Sequence, residues 1–200
     1  MKAGASKQDF FIIPAPRSGS TVLTRTLDKH PQIFCAGELF HPSDKIYHAE
    51  WHFPFIGKKK KKGFSRKIFS VTNYIKGYFS AVDHIKKFYN KRNEKEIRGF
   101  KLMIGHTKDF PTVWKYLSTN NFKVIVLIRN NTFREALSSF RARKIGVFHS
   151  KEDLELAQKK VTVNAVSLKK RVDELEAIKA NILRMSKANN RIIITYEDFK

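Results

Sequence analysis

The segment Pro14-Ala-Pro-Arg-Ser-Gly-Ser-Thr21 places one arginine, one glycine and three hydroxyl side chains between an apolar run and an apolar-periodic stretch. That set of groups suits an anion with tetrahedral oxygens. Backbone N–H groups at a helix start lack intrahelical partners and lie at the positive end of the helix dipole. Gly19 lets the main chain come close to such an anion. Ser18, Ser20 and Thr21 add hydroxyl donors, and Arg17 adds a charged fork that matches tetrahedral oxygens. The common nucleotide loop G-x-x-x-x-G-K-[ST] requires an earlier glycine and a Gly-Lys pair. Both are missing here, which disfavours an ordinary ATPase or GTPase. The structural alternative is a strand–helix turn with an N-cap serine.

The elements that must position these groups follow from the apolar patterning. Phe10–Ala15 reads as a short buried strand, continuous in apolar residues and bounded by proline. Ser18–His30 reads as a helix with Val22, Leu23, Thr26 and Leu27 on one stripe, ended by Pro31. Ile33–Ala36 reads as a second strand, with Gly37–Pro42 as the loop at its carboxyl end. A helical pattern runs through 64–93. Ile97–Ile104 reads as a strand, Asp109–Thr119 as a helix with Pro111 in its first turn, Phe122–Ile128 as a strand and Thr132–Lys144 as a helix. Residues 153–189 read as mostly helical, and Arg191–Thr195 as a last strand. Strands alternating with helices imply an α/β fold with a parallel sheet. Ligands in such sheets sit at the carboxyl ends of the strands. Arg17, Ser20, Glu38, His106, Arg129 and Tyr196 all fall just past expected strand ends.

The 200 residues suit a single domain, 1–200, with 43–95 as a basic helical insertion. The balance of 40 Lys and Arg against 18 Asp and Glu, formally +22, attracts polyanions. Residues 58–101 alone carry 15 basic and 3 acidic side chains, beginning with the run Lys58–Lys62. This stretch reads either as a solvated basic face or as a landing surface for an acidic glycan or anionic membrane. The one cysteine, Cys35, excludes an intrachain disulfide framework and a Cys-rich metal site. No h-region and no apolar run of membrane-spanning length is present. A soluble, cytoplasmic protein, peripheral to a membrane at most, is the expectation.

Five segments resemble, in order, motifs of sulfotransferases that use 3′-phosphoadenosine-5′-phosphosulfate (PAPS). "PRSGST" (16–21) resembles the 5′-phosphosulfate loop. "HPQIFCAGELFH" (30–41) is similar to a segment of bacterial carbohydrate sulfotransferases of the nodulation-factor type. "RGFKLMIGH" (98–106) resembles a strand of the trehalose sulfotransferase group. "VIVLIRNNTFREALSS" (124–139) resembles the 3′-phosphate segment, and "IITYEDF" (193–199) the late strand ending in Tyr-Glu-Asp. The resemblance implies the sulfotransferase fold, a P-loop-like parallel sheet flanked by helices. It also implies transfer of a sulfuryl group to a carbohydrate or glycolipid hydroxyl without a metal.

The resemblance further assigns roles. Arg17, Ser18, Gly19, Ser20 and Thr21 would hold the 5′ end, with Arg17 also stabilising developing charge. Arg129 and Ser138 would hold the 3′-phosphate, with Ser139 the alternative to Ser138. Tyr196 would lie near the adenine, with Glu197 and Asp198 bracing structure. Glu38 is the first candidate for the base that activates the acceptor, His106 the second and His41 the third. Lys101 would touch sulfate or acceptor, or snorkel from a strand edge. Val22 replaces the Trp that follows the loop in cytosolic aryl and steroid sulfotransferases, which points to the carbohydrate group. Relatives usually continue beyond Tyr-Glu-Asp-Phe with a segment that closes over the 3′-phosphate. Here the chain is a minimal form, a fragment, or closes with its charged 145–190 region. The alternative reading is a non-catalytic polyanion or nucleic-acid-binding protein on a P-loop-like fold. No RNP, KH, zinc-finger or helix-turn-helix signature supports nucleic acid.

Overall fold

Phe10–Pro14 is buried at every residue, as a strand covered on both faces requires. It forms β1, the centre of a five-stranded sheet in the order β2-β3-β1-β4-β5, and every pairing is parallel. The computed structural model describes residues 8–41, 47–54, 80–91, 95–145 and 161–199. Its elements are β1 (Phe10–Pro14), α1 (Ser20–Asp28), β2 (Ile33–Glu38), α2 (80–90), β3 (Ile97–Lys101), α3 (Ile104–Asp109), α4 (Pro111–Thr119), β4 (Lys123–Ile128), α5 (Thr132–Ile145), α6 (Ala165–Met185) and β5 (Arg191–Thr195). Two 3-10 turns, Ala49–Trp51 and Tyr196–Phe199, join them.

Side chains alternate across the sheet, and β1 divides the core accordingly. Phe11 and Ile13 pack on one face with Phe40, Phe88, Phe100, Val113, Leu117 and Ile182. Phe10 and Ile12 pack on the other with Leu23 and Leu27 of α1 and with Leu127. Each fully buried phenylalanine or isoleucine contributes on the order of 2–3 kcal/mol. Gly99 is required by close approach, because a Cβ there would lie 2.2 Å from the Phe10 ring.

The expected strand over Ile97–Ile104 stops at Lys101. Leu102 and Met103 turn the chain, and Ile104 opens α3. His106 therefore lies in the first turn of a helix, not at a strand end. The expected helix over 109–119 is divided at Phe110, with Pro111 at the start of α4. The second strand runs past Ala36 to Glu38. Of the charged region expected to be helical, α6 covers Ala165–Met185, while 146–160 lie outside the described residues. The described parts of 43–95 contribute Phe53, Ala81, Ile85, Phe88 and Tyr89 to the core. Lys58–Lys62 lies outside the described residues.

Candidate functional site

Connections from β1 and β4 leave the sheet in opposite directions, toward β2 and toward β5. The ends of these neighbouring strands therefore open a crevice, the place where an open α/β sheet binds its ligand. Arg17 follows β1 and Arg129 follows β4. The turn after β1 is left-handed at both Arg17 (φ 57) and Gly19 (φ 82). For an arginine this conformation costs roughly 1–2 kcal/mol, and such strain is typically kept at ligand sites. Gly19 then serves as the N-cap of α1 and contributes no capping side chain, so the first N–H groups of α1 have no side-chain partner at the cap.

Two guanidiniums meet at this crevice. Burial, and after it the positive field of Arg129, hold Arg17 below the usual arginine range. Arg17 Nε donates to Ser138 Oγ at 3.1 Å, which joins the loop after β1 to α5. Ser139, the alternative, is buried and donates its hydroxyl to the Glu135 carbonyl within its own helix at 3.1 Å. The Arg129 guanidinium lies over the Tyr196 ring, 4.4 Å from its centroid. Glu197 stands 4.0 Å from Arg129 Nε, near enough for charge but not for a hydrogen bond. Arg129 Nε is thus buried without a hydrogen-bond partner among the described residues. The second guanidinium does not pair with Glu135, whose partner is Lys179 at 3.2 Å.

Tyr196 closes this group from the far side. A Cβ on Gly19 would lie 2.8 Å from Tyr196 Cδ2, so the ring rests on the glycine and also carries Arg129. Glu197 braces the loop, accepting from the N–H groups of Asn130 at 3.0 Å and Asn131 at 3.4 Å. Asp198 accepts from Thr195 N at 2.6 Å. Both acids act structurally, as expected. Ser18 departs from expectation. Its hydroxyl is buried and donates to the Ala15 carbonyl at 2.7 Å, so only its main-chain N–H is left to face an anion. Ser20 and Thr21 form the half-exposed first turn of α1. Val22 is 58% exposed.

A second cluster lies along the same carboxyl edge, at the ends of β2 and β3. At about 4.8 Å per strand, β2 lies roughly 10 Å to the side of β1, and Glu38 stands level with Ile12. The pairing of β2 with β3 shifts register between Ala36 and Glu38, which brings Glu38 opposite Lys101. Bulges re-aim side chains in this way. Lys101 Nζ meets Glu38 Oε1 at 2.8 Å, and His106 Nε2 lies 3.9 Å from Glu38 Oε2. Burial pushes the Glu38 carboxyl up. The Lys101 charge and hydrogen bond, with smaller contributions from His106 and His41, outweigh it and hold the carboxyl below its usual range. Lys101 is 7% exposed and does not snorkel.

Burial dominates at His106 and lowers its pKa to about 4, against the raising fields of Glu38 and Asp109. The ring is neutral at pH 7. Its Nδ1 accepts from Met103 N at 3.3 Å, which assigns the proton to Nε2, the atom that faces Glu38. His106 is thus built as a donor and lacks a vacant lone pair for proton abstraction. His41 N donates to the Glu38 carbonyl at 3.3 Å.

Sequence reasoning missed the Glu38–Lys101 pair as a unit, the Arg17–Ser138 bond, and Lys179. A signal for Lys179 existed. It occupies the apolar stripe of α6 with Leu175 and Ile182, where a lysine is unexpected unless paired. Among the described residues no group of three or more His, Cys, Asp or Glu is arranged to hold a metal ion, and no helix is long and apolar enough to cross a membrane.

A solved sulfotransferase from Alicyclobacillus acidocaldarius is similar over 97% of this chain and 75% of that one, at 16% identity and a TM-score of 0.49. No curated protein matches. The Sulfotransferase family matches residues 9–200; with that match over nearly its whole length, the chain belongs to this family of sulfuryl-transferring enzymes.

Proposed function

We propose that this protein moves the sulfuryl group of PAPS to a hydroxyl of a carbohydrate or glycolipid, releasing adenosine 3′,5′-bisphosphate. The observation that carries this reading is the meeting of Arg17 and Arg129 at one crevice, with a buried Arg129 Nε that lacks a hydrogen-bond partner among the described residues. Two like charges brought together from separate loops repel. A donor with anionic groups at its 5′ and 3′ ends would relieve that repulsion and satisfy the nitrogen.

In this reading Arg17 and the N–H groups at the start of α1 hold the 5′-phosphosulfate. Arg129 and Ser138 hold the 3′-phosphate. Ser138 is preferred over Ser139 because it faces Arg17. Tyr196, already stacked by Arg129, borders the nucleoside. Fixed cationic donors aimed at oxygens that gain charge favour the transition state.

Glu38 is the acceptor's base. It is ionised at neutral pH, so it can take the hydroxyl proton as the new oxygen–sulfur bond forms and the bond from sulfur to the phosphate oxygen breaks. The neighbouring Lys101 keeps it charged, and the Nε2–H of His106 lies beside it, 3.9 Å from Oε2. β2 lies two strands, roughly 10 Å, to the side of β1, so a sulfuryl group and an acceptor hydroxyl would lie between the Arg17 loop and Glu38 along the carboxyl edge. The carbohydrate class of acceptor rests on the Gly37-Glu38-Leu39 segment and on Val22 standing where aryl-group relatives carry Trp.

Thermal stabilisation tests the donor site. Adenosine 3′,5′-bisphosphate at about 100 times its Kd should stabilise the fold by about 2.7 kcal/mol. That corresponds to a shift of several degrees in a domain of this size. 5′-AMP should do less, Mg²⁺ should not matter, and Arg129→Ala should abolish the difference. Equal small shifts for all nucleotides, fading together with salt, would mean a generic polyanion surface.

A further inference from the structure

Arg129 is held from below by a residue with no place in the chemistry described so far. Lys179, on α6, is 7% exposed. Its ammonium donates to the main-chain carbonyl of Arg129 at 2.6 Å and to Thr132 Oγ1 at 2.5 Å. Glu135 of α5, fully buried, lies 3.2 Å away, and Glu176 lies 3.7 Å away. The Thr132 hydroxyl in turn donates to Glu176. A lysine placed to face solvent could not make these contacts. It sits on the buried stripe of α6 between Leu175 and Ile182, where an unpaired ammonium is costly.

The contacts fall on one short stretch. Residues 129–132 form the turn from β4 into α5, and this turn carries both the Arg129 side chain and the helix that presents Ser138. Glu197 holds the same turn from the other side through the N–H groups of Asn130 and Asn131. The carbonyl of Arg129 is thus fixed by α6, and the next two amides are fixed by the turn after β5. Residues of this kind orient groups that contact a ligand and are frequently as sensitive as the contacts themselves.

We infer that Lys179 is a positioning residue for the second anion site: by holding the Arg129 carbonyl and Thr132, it sets how well the protein recognises the 3′-phosphate. The inference rests on reading Arg129 as the 3′-phosphate ligand.

The test is calorimetric titration of adenosine 3′,5′-bisphosphate and of 5′-AMP. The proteins are the wild type, Lys179→Met, Arg129→Ala and the double variant. If Lys179→Met alone leaves Glu135 unpaired and fails to fold by circular dichroism, Lys179→Met/Glu135→Gln replaces it, alone and combined with Arg129→Ala. The wild type should prefer the bisphosphate. Lys179→Met should lower that preference by about tenfold, a coupling typical of residues in one hydrogen-bond network, and leave 5′-AMP affinity within about twofold. Adding it to Arg129→Ala should cost much less than it does in the wild type, because the larger part of its effect passes through Arg129 and only the remainder through Thr132 and the helix that presents Ser138. Equal weakening of both ligands, an unchanged preference, or a full tenfold additional loss in the Arg129→Ala background would overturn the inference. A wild type with no preference for the bisphosphate would sink the Arg129 assignment itself, and this inference with it.

Discussion

Replacing His106 by glutamine should flatten the acid side of the protein's stability curve. The ring is buried, and burial lowers its pKa from 6.5 to about 4. That gap of about 2.5 units corresponds to about 3 kcal/mol at 1.36 kcal/mol per unit. The sign follows from proton binding. Below its unfolded pKa of 6.5, the unfolded chain takes up a proton that the folded chain refuses. Stability attributable to the neutral ring is therefore complete above pH 6.5, falls as the pH drops toward 4, and is flat below. Between pH 7.5 and 5 the wild type should lose about 2 kcal/mol from this group alone. Urea unfolding at pH 7.5, 6 and 5 would measure it. His84, also lowered by burial, titrates in both proteins and cancels in the comparison. Glu38 keeps Lys101 as its partner in both proteins. Wild-type and His106→Gln stabilities that decline in parallel would refute the assignment of a buried neutral imidazole. They would also remove the argument that His106, whose Nδ1 is engaged by the Met103 N–H, is not the base.

Two further substitutions probe the crevice. Gly19→Ala places a Cβ in a left-handed backbone and 2.8 Å from Tyr196. It should cost about 1–2 kcal/mol from the backbone alone, read as a lowered Tm, and should weaken adenosine 3′,5′-bisphosphate because Tyr196 carries Arg129; an unchanged Tm and affinity would contradict the packing described. Ser138→Ala should weaken the bisphosphate about ten- to hundredfold, the range of one hydrogen bond to a charged partner, while Ser139→Ala, whose hydroxyl is spent on the Glu135 carbonyl, should bind it like the wild type. The reverse order in a titration would exchange the two roles.

The strands with simple patterning were readable before any coordinates. "FKVIVLI" gave β4 to within one residue, and "RIIIT" gave β5 with its exact ends, because short β-branched runs bounded by turn residues have few other uses. "IRGFKLMI" misled because an apolar run does not distinguish a strand from the first turn of a buried helix. Only the switch of the main chain at Met103, which opens α3, divides it. The anion loop was legible in Arg17 and Gly19, both of which adopt the left-handed backbone. The destination of the Ser18 hydroxyl was not, since a donor beside a turn can bond outward or to its own carbonyls with little difference in sequence. Glu38 was singled out, but its pairing with Lys101 depends on the register shift after Ala36, and register is a property of the assembled sheet. The place of Lys179 on the apolar stripe of α6 was a signal that it is paired, but not of what it pairs with. Its partners lie 47 and 50 residues away in the chain, and only the packing of α6 against α5 brings them together.

The central claim is that Arg17 and Glu38 act on a sulfuryl group between them. The measurement that tests it most directly is the release of adenosine 3′,5′-bisphosphate from PAPS, without metal, in the presence and absence of a set of oligosaccharide and glycolipid acceptors. The account expects release that depends on one acceptor class. It expects Glu38→Gln to lower kcat by about 10²–10⁴-fold, the usual contribution of a general base, while leaving bisphosphate affinity close to that of the wild type. Release that is independent of every acceptor, or a Glu38→Gln enzyme that turns over like the wild type, would contradict it.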